Sequence, residues 1–338
     1  MTVSDKILLA HGGGGRLTEE LIQKIILPAF DNQTLNKLTD SAEISVGKDN
    51  IFFTTDSYVV KPLFFSGGDI GKLAVCGTIN DLAVSGAKPI ALSLSLIIEE
   101  GLEIDTLRKI IASVAKTAKK ENVSIVCGDT KVVEAGCADK IFINTAGIGF
   151  KLPKANIGFD RICAWNKIII TGTIGDHGMT IMSQREGMKF DSEMKSDCGS
   201  VANICEKVIE VFGDDIKFMR DPTRGGLAAT LNEIAGQTGF GIEINEEHIP
   251  VNPTVRAAAD MLGFDILDIA NEGKVVIIVS EKNAEDCLQI CREFENGKDA
   301  AIIGKVIKSD DGLVELITMI KGKRVVQMPY GRELPRIC

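Results

Sequence analysis

Four aspartates of this 338-residue chain stand beside small residues, where strands are predicted to end or helices to begin: Asp56, Asp81, Asp129 and Asp221. Any one of them alone is typical of a turn or a helix cap. Asp81, however, follows Asn80 inside an apolar helical segment, and a buried carboxylate there needs a partner. Because Mg²⁺ prefers oxygen ligands and bridges carboxylates to substrate phosphates, the set predicts a magnesium site for a bound nucleotide.

The chain ends on a thiol, that of Cys338. The segment before it contains Pro329, Gly331 and Pro335, which rule out a continuous helix. Fully extended, the residues after Met328 would reach roughly 30 Å, enough to move one sulfur atom between two sites. The alternative interpretation, commoner for chain ends in general, is a frayed terminus that happens to stop at a cysteine.

A run of four glycines follows His11 and allows the backbone to approach another group very closely. The standard phosphate loops are missing from the sequence. Residues 66–73 resemble a Walker A loop, but Ser66 stands where the first glycine is required, and Leu73 stands where a hydroxyl would hold Mg²⁺. No G-x-G-x-x-G pattern follows a strand either. A bound nucleotide therefore requires a different arrangement.

Composition excludes several classes of protein. An apolar fraction of 45% and a charged fraction of 25% are typical of a soluble globule, and a net charge of −9 argues against a general nucleic-acid binder. The sequence has no signal peptide and no membrane span, so the expected location is cytoplasmic, with the nine cysteines reduced. With three histidines, a histidine-built metal centre is not expected, and the Cys287–Cys291 pair is interpreted as small buried apolar residues.

Two series of strands and helices, divided near residue 153, predict α+β or α/β domains with helices on one face of each sheet. The expected division is a glycine-rich segment and helix over 1–40, an ATP-binding and dimerisation domain over 41–153, an α/β domain over 154–327 and a mobile tail over 328–338.

Local patterns predict the elements that carry the aspartates. They indicate a helix over 18–27 that stops at Pro28, a strand over 51–55 that ends at Asp56, and a helix over 71–86 that carries Asp81. Further along, they indicate a helix capped by Asp105, a strand over 123–127 that leads into Asp129, and a helix over 253–262 with Asn252 as its cap.

The combination of motifs resembles the aminoimidazole-ribonucleotide-synthetase (PurM-like) superfamily of ATP-dependent enzymes over nearly the whole chain. Within it, the resemblance is to the carbamoyl dehydratases of hydrogenase maturation. The matching segments are 11–15, 56–62, 68–83, 128–131, 175–178, 221–226, 271–273 and 335–338. The last of these, Pro-Arg-Ile-Cys, separates this family from the selenophosphate synthetases and the thiamine-monophosphate kinases.

The resemblance implies a fold and a reaction. A carbamoyltransferase, HypF, loads a carbamoyl group onto the terminal thiol, and ATP then drives its dehydration to a thiocyanate. The cyano group passes to iron in a HypC–HypD scaffold complex, for the active site of nickel–iron hydrogenase. The implied fold has two PurM-like domains, of which the N-terminal one forms a homodimer through its sheet. No nucleic acid and no membrane are involved.

The same resemblance, together with the chemistry, assigns roles to residues. An amide oxygen leaves readily only after phosphorylation, and a base must take the N–H protons. Cys338 is expected to carry the substrate, with Glu272 as the base and His177 as the second choice for it. Mg²⁺ is assigned to the four aspartates named above. The expected nucleotide-binding residues are Gly12, Gly13, Gly14, Gly15, Asn80, Thr130, Lys131, Thr223, Gly225 and Gly226.

Several alternatives stay open from the sequence. Glu272 fits a solvated loop acid as well as a base, His177 fits a structural residue at a helix start, and Arg336 fits either a steering charge for the tail or a solvated side chain. For the whole protein, one rival is a small-molecule phosphotransferase of the same superfamily with an inert tail. The other is a non-catalytic scaffold whose tail only docks a partner.

Overall fold

The computed structural model describes residues 6–30, 32–47, 49–188, 194–309, 311–331 and 336–338, so Pro335 lies outside the described residues. The α-helices are α1 (Arg16–Leu21), α2 (Leu27–Phe30), α3 (Ile70–Val84), α4 (Ile104–Lys120), α5 (Asp176–Arg185), α6 (Ala202–Phe212), α7 (Gly226–Thr238), α8 (Pro253–Leu262) and α9 (Ala284–Arg292). The strands are β1 (Ala42–Val46), β2 (Asp49–Tyr58), β3 (Phe64–Phe65), β4 (Gly68–Asp69), β5 (Ala87–Glu99), β6 (Ser124–Val133), β7 (Ile141–Lys151), β8 (Lys167–Ile170), β9 (Ile216–Arg220), β10 (Gly241–Asn245), β11 (Val276–Val279), β12 (Ala301–Ile307), β13 (Val314–Ile317) and β14 (Lys323–Val325).

The first large sheet has the order β1-β2-β7-β5-β6, and only β5 and β6 run parallel. Helix α3 packs across β2 and β7, and α4 packs beside α3. Small residues such as Ala74 and Gly77 bring α3 close to the sheet, because a Cβ on Gly77 would lie 2.2 Å from the Tyr58 hydroxyl. The sheet therefore has an inner face against the helices and an outer face that they do not cover.

The second large sheet has the order β14-β13-β10-β12-β8-β11-β9, with β10 and β13 as its parallel pair. Alternate residues of β8 belong to different cores: Ile168 and Ile170 pack with α7, whereas Ile169 packs with α6 and α9. Helices thus cover both faces of this sheet, so the expectation of helices on one face only is wrong here. The α+β class and the two-domain PurM-like architecture are confirmed.

Three local predictions need correction. Pro28 does not stop its helix, because a π-helical turn over Ile22–Ile26 leads into α2 and relieves the clash of the ring with the preceding turn. Asp105 does not cap α4, which begins at Ile104, and its carboxylate binds Arg108 at 2.8 Å instead. Strands β2 and β6 continue past Asp56 and Asp129, so neither aspartate follows the end of a strand.

Other local predictions are confirmed. Asn252 caps α8 through its side chain, which accepts a hydrogen bond from the Thr254 amide at 3.0 Å, and Pro253 occupies the first turn. Within the described part of the chain, none of the helices is both long and apolar enough to span a membrane.

Candidate active site

The last three residues lie along residues 59–61, which follow β2, and hydrogen-bond to their backbone. The Val59 amide donates to the Cys338 carbonyl at 2.9 Å, and the Lys61 amide donates to the Arg336 carbonyl at 3.3 Å. The pairing is antiparallel, since the residue numbers rise on one side as they fall on the other. Ile337, between them, is only 2% exposed and packs in the apolar core with Tyr58 and other buried side chains. The end of the chain is therefore docked in the protein.

His177, at the start of α5, holds this docked end. Its Nε2 lies 2.7 Å from the Ile337 carbonyl oxygen, and its Nδ1 lies 2.8 Å from the Ser196 hydroxyl. A carbonyl oxygen only accepts, so Nε2 carries the proton and Nδ1 accepts from Ser196. Burial lowers the pKa of His177, which keeps the ring neutral. In this arrangement His177 positions the tail backbone.

The thiol of Cys338 lies among charged groups of the protein. Burial raises the pKa of Cys338, the Arg224 guanidinium lowers it, and the carboxylates of Glu272 and Asp56 raise it further. In return, Cys338 is the first cause of the raised pKa of Arg224. The docked thiol is half-buried, stays protonated and lies within electrostatic range of Glu272 and Asp56.

Glu272 is a buried carboxyl group, 3% exposed, that lacks a complete set of partners. Among the residues that the structure describes, its Oε1 atom has no hydrogen-bond partner. Burial raises the pKa of Glu272 well above its usual range, and the nearby charges of Asp197 and Asp221 raise it further. A side chain of this kind can hold or release a proton when a ligand changes its surroundings.

A dense set of backbone contacts fixes the turn that carries Glu272. The Asp197 carboxylate accepts the amides of Glu272 and Gly273 at 3.2 Å. The Asn271 side chain accepts the Gly175 amide at 2.8 Å and donates to the Pro222 carbonyl at 2.9 Å. The turn is therefore rigid, and it links the start of α5 to the segment that carries Asp221.

Three of the four predicted aspartates share one acidic region. Burial raises the pKa of Asp81 well above its usual range, and the charge of Asp221 is the next cause, followed by Asp40 and Asp56. Burial together with the charge of Asp40 raises the pKa of Asp221 to about 8. The Thr54 hydroxyl donates to Asp81 at 2.8 Å. These carboxylates are close enough to resist ionising together.

Asp129 lies apart from them because it is on the other face of the sheet. Asp56 is paired in register with Thr145, which is fully buried on the inner face, whereas Asp129 is paired with Ser95, which is paired with Asn144 on the outer face. Side chains alternate along a strand, so these registers separate the two carboxylates. Asp129 is exposed and binds Lys131 at 2.6 Å. Within one chain, it does not join the other three.

The acidic region has the chemistry of a divalent-cation site but not a complete one. Among the described residues, no three His, Cys, Asp or Glu side chains are arranged as a metal site. The Arg220 guanidinium is already engaged by Asp40 at 3.1 Å and Glu233 at 2.9 Å. The charge of Asp221 thus raises the pKa of Asp81, and the donor set fits Mg²⁺ that also binds phosphate oxygens.

The glycine run packs on the base of the tail and on Arg224. A Cβ on Gly15 would lie 2.1 Å from the Pro329 carbonyl oxygen, and one on Gly14, at φ +77°, would lie 2.5 Å from the Arg224 Cβ. The Arg16 amide also donates to the Pro329 carbonyl at 2.8 Å. Gly12 has open space around it. The glycines therefore allow a close approach, as predicted, but in this structure their neighbour is protein.

The other predicted nucleotide-binding residues are spread over three places. Asn80 is buried and ties α3 to the second domain, since it accepts the Val201 amide at 2.9 Å and donates to the Gly199 carbonyl at 3.0 Å. Thr130 and Lys131 lie with Asp129 on exposed β6. The remaining three form the turn into α7: Thr223, Gly225 and Gly226.

Family models and known proteins resemble this chain over most of its length. The N-terminal domain model of AIR synthase related proteins matches residues 38–150, and the C-terminal domain model matches residues 166–317. The carbamoyl dehydratase HypE of Escherichia coli is 43% identical over 99% of this chain and 100% of its own length. HypE of Rhizobium leguminosarum is 45% identical over 98% of this chain and 95% of its own length.

The chain belongs to the HypE family.

Solved HypE structures agree with this assignment. The HypE of a HypE–HypF complex has a TM-score of 0.87 at 47% identity, over 91% of this chain and 99% of that one. A HypE in complex with ATP has a TM-score of 0.83 at 44% identity, over 98% of this chain and 100% of that one. A thiamine monophosphate kinase, at 16% identity and a TM-score of 0.66, shares the fold alone.

In this HypE-family chain, sequence reasoning missed five residues of the site region. These side chains surround the tail, the Glu272 turn or the acidic region: Asp40, Asp139, Arg185, Asp197 and Arg224. Arg224 lies within a motif segment and could have been selected by its charge beside two glycines. The others become neighbours only through folding and carry no spacing signal. Cys338, Glu272 and His177, by contrast, do meet in one place.

Proposed function

We propose that this chain dehydrates an S-carbamoyl group on its own Cys338 to a thiocyanate, with ATP as the second substrate. The observation that carries the proposal is the docked chain end: Ile337 is buried next to Cys338, and the charges of Glu272 and Asp56 raise the pKa of the half-buried Cys338 thiol. Neither a phosphotransferase with an inert tail nor a scaffold requires the terminal sulfur to reach a buried acid. The identity to HypE proteins over nearly the whole chain supports the same reaction.

The reaction balances in two steps. First, the amide oxygen of the carbamoyl group forms a bond to the γ-phosphorus of ATP, ADP leaves, and one N–H proton goes to a base. Second, the C–O bond breaks, phosphate leaves with both electrons of that bond, and the remaining N–H proton is removed as the C≡N bond forms. The oxygen lost from carbon therefore ends in phosphate, and the sulfur stays bound to Cys338 throughout.

Glu272 is the group for these proton transfers. Its Oε1 atom has no hydrogen-bond partner among the described residues. An amide N–H of a carbamoyl group on the Cys338 sulfur would supply one. Because burial and nearby acids raise its pKa, ionised Glu272 binds protons strongly and is an effective base once nucleotide and cation have entered. His177 has both ring nitrogens engaged and acts as the holder of the tail instead.

Asp56, Asp81 and Asp221 would hold Mg²⁺, which when bound neutralises phosphate charge and orients the γ-phosphoryl group. The glycines 12–15 and the turn of Thr223, Gly225 and Gly226 flank the same region and would contact the nucleotide, with Asn80 fixing α3 beside it. Asp129, Thr130 and Lys131 lie on the edge strand of the sheet. Asp129 and Lys131, on the outer face of the sheet, would join the site from a second chain.

A homodimer through the outer face of the first sheet meets this requirement. Four large apolar side chains of that face are 36–51% exposed: Phe53, Ile97, Ile148 and Phe150. Exposed large apolar side chains on one face of a sheet are characteristic of a protein interface. Because β6 is the edge strand, Asp129 lies on the surface that such a dimer covers.

The tail alternates between two positions in this proposal. In the docked position the pKa of Cys338 is raised, so the thiol is a poor nucleophile and loading requires an undocked tail. HypF is the partner that loads it, in line with the HypE–HypF complex among the similar structures. A HypC–HypD complex is the acceptor of the cyano group, and the reaction takes place in the cytoplasm.

Mass spectrometry of the carbamoyl-loaded chain tests the reaction. With ATP and Mg²⁺, the terminal peptide of the wild-type protein should lose one water, whereas loaded Glu272→Gln should retain its mass over the same time. Loaded protein without ATP is the control. An unchanged wild-type mass would support the scaffold. Full turnover of ATP on a free small substrate by a chain lacking Cys338 would support the phosphotransferase.

A further inference from the structure

One contact of the tail has no part in the chemistry described so far. The Arg336 guanidinium binds the Asp139 carboxylate at 2.5 Å, lies 5.7 Å from the centre of the Phe142 ring, and donates from Nε to the Val59 carbonyl at 2.9 Å. Asp139 also accepts from the Lys61 ammonium at 2.8 Å. The Lys61 and Arg336 side chains hold the pKa of Asp139 down to about 2, so it is charged at any physiological pH.

The other contacts of the described tail residues involve backbone groups or an apolar side chain rather than a charged one. Backbone pairing with Val59 and Lys61, and the hydrogen bond from His177, use carbonyl groups that any peptide has. The pocket of Ile337 selects an apolar side chain of suitable size. Arg185 donates to the carbonyl oxygens of Lys61 and Arg336, which are likewise backbone groups. The Arg336–Asp139 pair is thus the charged, side-chain-specific contact of the docked end.

Asp139 sits on a loop that is rigid before the tail arrives. The Glu99 carboxylate accepts the amides of Lys140 at 2.8 Å and Gly136 at 2.6 Å, which closes the connection between β6 and β7. Gly136, at φ +87°, adopts a conformation that glycine tolerates without strain. The carboxylate of Asp139 is therefore held in place beside the docked tail, which reduces the entropy cost of pairing with Arg336.

We propose that Asp139 is the positioning residue for the tail: it captures Arg336 and thereby sets the fraction of chains in which Cys338 is docked. The proposal rests on the two tail positions described above. Lys61 makes the pairing of Asp139 with Arg336 reversible. When Arg336 leaves, Asp139 keeps its ion pair with Lys61, so undocking does not leave the Asp139 carboxylate without a cationic partner. Each exchange of the tail then involves a modest free energy, as a shuttle requires.

The test measures how often Cys338 leaves its groove in the full-length protein. Iodoacetamide alkylates an undocked thiol, and mass spectrometry of the terminal peptide reports the rate for Cys338 separately from the other cysteines. Because the pair is partly exposed, we expect Asp139→Asn to raise this rate about fivefold. Asp139→Glu should restore most of the protection. Asp105→Asn, which breaks an exposed ion pair with Arg108 within α4, is the matched control and should leave the rate unchanged.

Salt gives a readout that a purely structural role would not change. Screening of the ion pair should raise the Cys338 alkylation rate of the wild-type protein, and this response should be reduced in Asp139→Asn. If Asp139→Asn unfolds, the buried thiols Cys76 and Cys205 will react as well, and Arg336→Gln then tests the same pair without touching the loop. Protection equal to wild type in both variants would overturn the proposal. The assay contains no carbamoyl group or ATP, so its outcome is independent of the dehydration reaction.

Discussion

Ile337 gives the sharpest test of tail docking, because its side chain is buried only when the tail is docked. It is 2% exposed and packs in the core of the first domain. In Ile337→Ala only the Cβ remains, and at about 0.8 kcal/mol per buried carbon group the docked state loses about 2 kcal/mol. The docking constant should then fall roughly 30-fold. The free energy of unfolding of the domains should change little, because the side chain at position 337 is exposed to solvent in the undocked state of either variant.

Alkylation of Cys338 measures this change, with the exposed thiols of Cys127 and Cys163 as internal references. The Cys338 rate should rise in proportion to the undocked fraction while the reference rates stay constant. Ile320→Ala removes an equally large side chain that is 90% exposed, and it should leave the Cys338 rate as in wild type. If Ile337→Ala protects Cys338 as well as the wild type does, the docked position described here is not the resting state in solution.

Three further predictions concern the interior of the site. Glu272→Gln should slow dehydration of the loaded chain by about 10²- to 10⁴-fold in a single-turnover assay, and a wild-type rate would remove Glu272 as the base. Burial and the charge of Asp197 raise the pKa of Asp176 to about 7, and the pKa of Asp221 is raised to about 8. Both carboxyl groups therefore hold protons in the folded state that the unfolded chain releases near pH 4. Urea unfolding should therefore show the metal-free stability falling as the pH rises from about 4 to about 8, and a rise over this range would contradict the assignment. Gly15→Ala should weaken the contact with the tail base, seen as faster proteolysis near Pro329, because its Cβ would lie 2.1 Å from that carbonyl oxygen.

The sequence predicted the residue types of the site better than their arrangement. The same local pattern, a carboxylate beside small residues at a predicted strand end or helix start, selected each aspartate. That pattern contains no information on which face of a sheet a residue occupies. Asp56 and Asp129 both lie inside strands, and the pairing of β5 with β7 and β6 places them on opposite faces. Register is a property of the whole sheet, so a local signal could not have separated them.

The residues that the sequence missed have a common cause. Asp197 acts through the two amides it accepts at the Glu272 turn, and Asp139 acts through its place on a loop closed by Glu99. Neither belongs to a motif, because an acid that binds backbone amides needs only proximity. Glycine signals were more informative. At Gly14 and Gly15 the prediction of a close approach is supported by the distances, although the groups approached are Arg224 and the base of the chain's own tail.

Weak docking is a consequence of carrying the substrate on the chain's own end. A tethered group meets its groove at an effective concentration on the order of mM, so contacts that would hardly bind a free peptide are enough to populate the docked state. Ile337, the His177 hydrogen bond and the Asp139 ion pair are each modest contributions of this kind. A tighter groove would gain nothing in dehydration once docking is complete, but it would keep the thiol protonated and away from the carbamoyl donor. The arrangement therefore favours several small contacts at the terminus over one strong anchor.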